Sequence, residues 1–235
     1  EEQLHTPLAD PQPVAVAIAA LPVSQGDAVQ RQQAVRAERE RINTLTDETE
    51  KQQARQAINR QTRELVLDTE RRHLLRALYS PGQLREQMTW FWMNHFSVYA
   101  AKGQVGSMLP EYEERAIRPH ALGKFRDLVM ATVTSPAMLV YLDNAQSAAN
   151  RINENYAREL MELHTLGISG GPSGSRYTQQ DVQELARVLT GLGVNLRGEP
   201  PKLGPARAAM YRGEGLFEFN PNRHDFGSKV LLGQR

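Results

Sequence analysis

DAVQRQQAVRAERERINTLTDETEKQQARQAINRQTRELVLDTERRHLLRALY, residues 27–79, decides the fold class. The stretch contains no glycine and no proline and is rich in Gln, Arg and Glu, which lose little freedom on entering a helix. It predicts helix throughout, with one interruption. Asp27 is suited to cap the first piece. Asn43, Thr44, Thr46 and Asp47 offer side-chain hydrogen bonds that compete with the helix ladder, so a break is expected there. A second helix is expected from about Glu48 to Leu78. Its apolar positions (Ala54, Ile58, Leu65, Leu67, Leu74, Leu75, Leu78) are sparse, and only its second half reads as buried. The pair therefore reads as solvated, charged helices projecting from the body. A coiled-coil arm for a partner is the sharper alternative, but its heptad pattern is thin.

Working outward, residues 1–26 carry Pro7, Pro11, Pro13 and Pro22 and read as irregular, with Val14–Val23 a short buried helix or strand. After residue 79, Ser80-Pro81 stops one helix and starts the next, proline being accepted at the first helical position. That next helix, about Pro81–Tyr99, holds Leu84, Met88, Trp90, Phe91, Trp92, Met93 and Phe96. Apolar residues cover most of its circumference, which predicts a central helix. Gly103, Gly106 and Pro110 mark a turn. Helices are then expected at Glu111–Arg118, Ala121–Thr134 and Pro136–Leu142, the last ended by Asp143-Asn144. Asn153–Leu166 follows, with Gly167 suited to the position after a helix end. Gly170–Ser175 reads as a loop. Thr178 with Asp181 resembles a capping box opening a helix that runs to Thr190. Asn195–Gly215 reads as irregular, and Leu216–Phe219 alternates like a short strand. The expectation is an all-α, multi-helix globular bundle with long Gly/Pro-rich loops and a projecting charged pair. Its expected parts are 1–26, 27–79 and 80–235, with both ends looking cut from something longer.

Composition narrows the function classes. Lys and Arg total 28 against 27 Asp and Glu, a net charge of +1, which argues against a general nucleic-acid binder. The absence of cysteine excludes disulfides, thiolate metal sites and cysteine nucleophiles. No apolar run is long enough to span a membrane.

Asn153–His164 (NENYARELMELH) is the segment richest in chemistry. At helical spacing Glu154, Asn155, Arg158, Glu159 and Glu162 share an arc of roughly 140°. Tyr156, Ala157, Leu160, Met161 and Leu163 fill the other side, and His164 falls among them. Glu154, Arg158 and Glu162 form an i, i+4, i+8 ladder. Such an arc usually faces water. Its excess of carboxylates also suits a cation, a sugar or a buried ion network. His164 reads first as a core histidine. The Glu-x-x-His spacing of di-iron bundles fails, because positions 162 and 165 are Glu162 and Thr165. Glu159 and Glu162 remain weak metal candidates with a histidine from elsewhere, His95 or His224. There is no His-Glu-x-x-His, P-loop or nucleophile elbow. His224-Asp225 is a further acid–base candidate.

Five segments then add up to a resemblance. They are Trp92–Phe96 (WMNHF), Ser135–Asn144 (SPAMLVYLDN), Asn153–Gly167 (NENYARELMELHTLG), Tyr177–Gly191 (YTQQDVQELARVLTG), and His224-Asp225 with Lys229 and Leu232-Gly233. In this order they resemble the bacterial "domain of unknown function 1800" family, strongly over about residues 80–233. The resemblance marks Asn94, His95, Asn153, Glu154, Asn155, Arg158, Glu159, Glu162, His164, Asp181, Glu184, Arg187, His224 and Asp225 as motif residues. Leu192 stands where the family pattern leads one to expect Trp, which puts an aromatic contact in doubt. The resemblance implies an exported, periplasmic or extracellular parent chain, and a partner from a secreted family encoded beside it. It implies no activity.

Two functions follow as expectations. One is a helical scaffold that binds a protein or a glycan, with Asn94, Asn153, Asn155, Arg158, Asp181, Glu184 and Arg187 as a binding or structural network. The other is a hydrolase or metal-dependent enzyme using Glu154, Glu159, Glu162, His164, His95, His224 or Asp225. The second requires the helix at 153–166 to face a concave site with a desolvated carboxylate. No cofactor is indicated.

Overall fold

The computed structural model describes residues 8–168 and 177–235. The expected loop at 170–175 and the start at 1–4 lie outside them. The chain forms two compact units, Glu1–Thr132 and Val133–Arg235, and is predominantly helical.

The first unit contains α1 (Gln12–Ala20), α2 (Ala28–Thr44), α3 (Glu48–Tyr79), α4 (Gln83–His95), α5 (Val105–Glu111) and α6 (Phe125–Val133, reaching the unit boundary). Between α5 and α6 lie a π-helical turn, Tyr112–Ile117, and a 3-10 turn, Arg118–His120. The break expected after Asn43 is there. Asp27 and Asp47 cap the two long helices, each carboxylate accepting a backbone N–H at 2.8 Å, from Gln30 and Glu50. The proline-spotted start is helical over α1, with Val14 and Ile18 buried. The helical pair packs on its neighbours through Gln32, Ile42, Ile58 and the second half of α3, while the first half of α3 is largely exposed. α3 and α5 approach closely at Gly106. A Cβ there would lie 3.1 Å from Thr62 Cγ2 and 2.8 Å from the Ala100 carbonyl oxygen. Phe96, Val105, Met108, Tyr112, Ile117 and Leu128 form the core.

Two orientations differ from expectation. On α3 the buried face is Asp68, Thr69, Arg72 and Arg76, whereas Leu67, Leu74 and Leu78 are exposed. On α4 Glu86 and Thr89 are buried, whereas Trp90 is 57% and Phe91 52% exposed. α4 is therefore not the apolar centre of the bundle. The cause is charge pairing across the inner faces. A carboxylate and a guanidinium that find each other fix which arc turns inward, and the opposite arc must turn out.

The second unit contains α7 (Pro136–Tyr141), α8 (Asn155–Glu159), α9 (Gln179–Leu189) and the short α10 (Pro205–Ala208). Asp143 ends α7 at φ +62°, a left-handed conformation that Asp tolerates better than most residues. The capping box at Thr178 and Asp181 is present. Beyond α9 the expectation of one strand is too small. Three strands, β1 (Leu192–Val194), β2 (Arg212–Glu214) and β3 (Phe217–Phe219), form an antiparallel sheet in the order β1-β3-β2. Leu192 pairs with Phe219 and so does Arg212. β2 and α10 lie in the stretch expected to be irregular. Strands of three residues are too short for the period of two to show in sequence. Met138, Leu139, Tyr156, Val182, Ala186 and Leu189 form this core.

Candidate functional site

The segment at 153–165 is not one α-helix. α8 passes into a π-helical turn at Leu160–Thr165, and the Leu166 N–H donates to the Met161 carbonyl, five residues back, at 2.8 Å. A π turn turns less than 100° per residue, so it rotates Glu162 out of line with Glu154 and Arg158. The expected three-rung ladder gives way to a different triangle. The Gln179 side-chain amide donates to Glu154 at 2.7 Å and accepts from Arg158 at 2.7 Å, while Arg158 reaches Glu154 only at 3.5 Å. His164 is buried, as a core histidine would be. Asn153 and Asn155 serve the helix start: the Asn153 side-chain oxygen accepts from the Asn155 N–H at 2.9 Å, and the Asn155 amide donates to the Leu142 carbonyl at 3.3 Å. The Tyr156 hydroxyl is fully buried, and burial pushes its pKa far up.

The structure brings five motif residues together in a clasp. Asp181, Glu184, Arg187 and Thr190 recur every third residue along α9 and its end, and the chain at 224–232 lies antiparallel along them. Asp181 accepts from the Leu232 N–H at 2.7 Å and Glu184 from the Val230 N–H at 3.1 Å. Arg187 donates to both Asp225 oxygens, at 2.8 and 3.3 Å, and to Glu184 at 2.9 Å. The Thr190 hydroxyl accepts from the Asp225 N–H at 2.8 Å, and His224 Nδ1 donates to the Thr190 carbonyl at 2.6 Å. The hydrogen bond from Arg187 holds the Asp225 pKa down to about 2. Thr178 likewise lowers that of Asp181 through its side chain. Gly191 makes the clasp possible. Its φ is +85°, and a Cβ would lie 2.9 Å from the Asn220 carbonyl oxygen and 3.0 Å from His224 Cβ. Leu192, where Trp is expected, opens β1, and its carbonyl accepts from the Asn144 side chain at 3.0 Å.

Two more motif residues lie in the first unit. Asn94 donates to the Trp90 carbonyl one turn back at 2.8 Å. His95 stacks edge-on against Trp92 and Phe96, with ring centroids 5.6 and 4.6 Å away.

The first unit also buries a charge cluster around the π turn. His73 Nδ1 donates to Glu113 at 2.7 Å, and Arg72 lies 3.6 Å from both Glu113 and Glu114. Arg76 pairs with Glu114 and, at 3.5 Å, with Asp10. Arg118 holds Glu86 by two hydrogen bonds at 2.5 and 3.3 Å. Burial is the largest influence on Glu114 and opposes its charge, but the hydrogen bond from Arg76 together with the charges of Arg76, Arg72 and Arg118 outweighs it and lowers the pKa. The hydrogen bond to Glu113 raises that of His73.

The family described as "Protein of unknown function (DUF1800)" matches residues 1–235. The chain belongs to this family. No curated protein and no solved structure matches it. The charge cluster of this DUF1800 chain was not singled out in sequence. Its signal is present in retrospect: Arg72 and Arg76 stand four residues apart on α3, opposite Leu67, Leu74 and Leu78. The usual rule that the apolar arc turns inward hides it.

The chemistry of the DUF1800 motif residues is mostly that of tethering. Asp181, Glu184 and Asp225 accept from backbone amides and a guanidinium, and Asp225 stays ionised at any ordinary pH. Among the described residues, no three His, Asp or Glu side chains converge as a metal site. The weak metal candidates His95, Glu159, Glu162 and His224 form no such group.

Proposed function

We propose that this chain is an exported helical scaffold that binds a partner protein through the outward face of α3 and α4. The observation that supports it is the exposure of Leu74 and Leu78 on α3 and of Trp90 and Phe91 on α4. The two helices meet there, the His73 and Trp90 rings lying 5.4 Å apart. Grouped apolar side chains of this size on a surface mark interaction sites, and Trp is enriched among residues that dominate binding energy. Aliphatic Leu together with the rings favours a protein over a glycan, which needs polar groups to orient its hydroxyls. The motif residues then serve the scaffold, clasping 224–232 to α9 and fixing the start of α8. An enzyme on residues 153–166 has less support, since Glu154 and Arg158 are tied to Gln179.

The test is capture from the organism's own envelope extract by the immobilised chain, alongside a variant carrying Leu74→Ser and Trp90→Ser. The expected result is one identified protein, retained by the wild type and lost from the variant, with the secreted neighbour of the family resemblance as the first to examine. Equal retention by both, or a glycan-array signal indifferent to the substitutions, contradicts this reading.

A further inference from the structure

The buried cluster carries four carboxylates, Asp10, Glu86, Glu113 and Glu114, against three guanidiniums, Arg72, Arg76 and Arg118. His73 is the only other titratable side chain in it among the described residues that these contacts name. With a neutral imidazole the cluster holds one uncompensated negative charge, and with an imidazolium it is balanced. An unpaired charge in a protein interior is costly, so the fold itself favours the proton on His73. The groups that face His73 favour its charge on balance, led by the hydrogen bond to Glu113 and against the burial of the ring. Glu113 of the π turn and Glu86 of α4 favour its charge, and Arg76 of its own helix opposes it. The other side of the ring lies against Trp90, where a cation is attracted by the indole face. His73 thus stands between the buried charges and the exposed aromatic surface, touching both.

We propose that His73 is a proton-operated coupling between this cluster and the α3–α4 face. Carrying its proton, it balances the four carboxylates and holds Trp90 by a cation–π contact. Losing it, the cluster becomes negative and the Trp90 contact weakens, so partner binding falls as pH rises. The last clause rests on the proposed function of that face; the coupling of His73 to Trp90 does not. The sign follows from the raised pKa. The stabilisation is fully present below the unfolded value near 6.5 and is lost as pH climbs through the higher folded value.

The experiment is a titration of the intact chain with isotope-labelled histidine, followed by NMR. The His73 resonance is assigned by its disappearance in His73→Gln. Indole emission is read in parallel in a Trp92→Phe background, which leaves Trp90 as the sole indole and removes the one beside His95, because an imidazolium quenches a neighbouring indole. The expected result is a His73 midpoint above 6.5, shifted down in Glu113→Gln, with Trp emission rising through the same midpoint and flat in His73→Gln. A His73 midpoint at or below 6.5 overturns the proposal, as does an emission change that persists in His73→Gln. If Glu113→Gln fails to fold, the wild-type midpoint and the His73→Gln emission decide alone. Neither readout needs a partner. A failed titration therefore leaves the face as a binding surface, and a face without a partner leaves the titration standing.

Discussion

Asp225 accepts two hydrogen bonds from Arg187 and one from the Gly227 N–H, and its own N–H is held by Thr190. Its depressed pKa makes the clasp acid-sensitive in a defined window. The contribution is present above the unfolded value of 3.8 and is lost as pH falls through about 2. Hydrogen exchange at residues 225–232, normalised to the intrinsic amide rate at each pH, is expected to accelerate on acidification across that window. In Asp225→Asn it should already be fast at neutral pH, and unchanged protection there would contradict the clasp. Glu86 gives the matching prediction in the first unit. It is 2% exposed and tied to Arg118, so Glu86→Gln leaves a guanidinium short of its partner. A loss of about 3–5 kcal/mol is expected in urea unfolding, as for broken buried pairs in general. At this scale the sequence was informative about identity and poor about company. Asp181, Glu184, Arg187, His224 and Asp225 all stood out, but only tertiary structure shows that they serve one strap. Arg72, His73 and Glu113 drew no notice, because their partners are 38 to 41 positions apart along the chain.

At the scale of elements, capping chemistry was legible and facing was not. Asp27, Asp47 and Thr178 act through neighbours three residues away, which a sequence displays directly. Thr178→Ala is expected to cost about 1 kcal/mol by thermal unfolding. The inward arcs of α3 and α4 depend on pairings between helices, so hydrophobic periodicity alone pointed the wrong way. That reversal is itself testable. Leu74→Ser and Leu78→Ser, which would be damaging in a core, should each shift stability by no more than about 0.5 kcal/mol in urea unfolding. A loss of about 2–5 kcal/mol, the size expected for emptied core positions, would show that these residues are buried after all. The π turns at 112–117 and 160–165 were equally hidden. Each inserts one residue into an α-helical ladder; Pro110, inside α5 just before the first, announces only a break, and no glycine or proline lies within the second.

At the scale of the whole molecule, helix-rich composition, absent cysteine and the order of five motifs were enough for the fold class and the family. The small sheet was missed in two of its three strands, each held by the pairing of three-residue segments that carry no pattern of their own. The central claim is that the α3–α4 face meets a partner protein. It is tested most directly by a photo-crosslinking amino acid at position 91, with position 60 on the exposed first half of α3 as control, in the cells that make the protein. The account predicts one defined protein adduct from position 91, absent from position 60 and abolished by Leu74→Ser with Trp90→Ser. No adduct from position 91, or the same adducts from both positions, would contradict it.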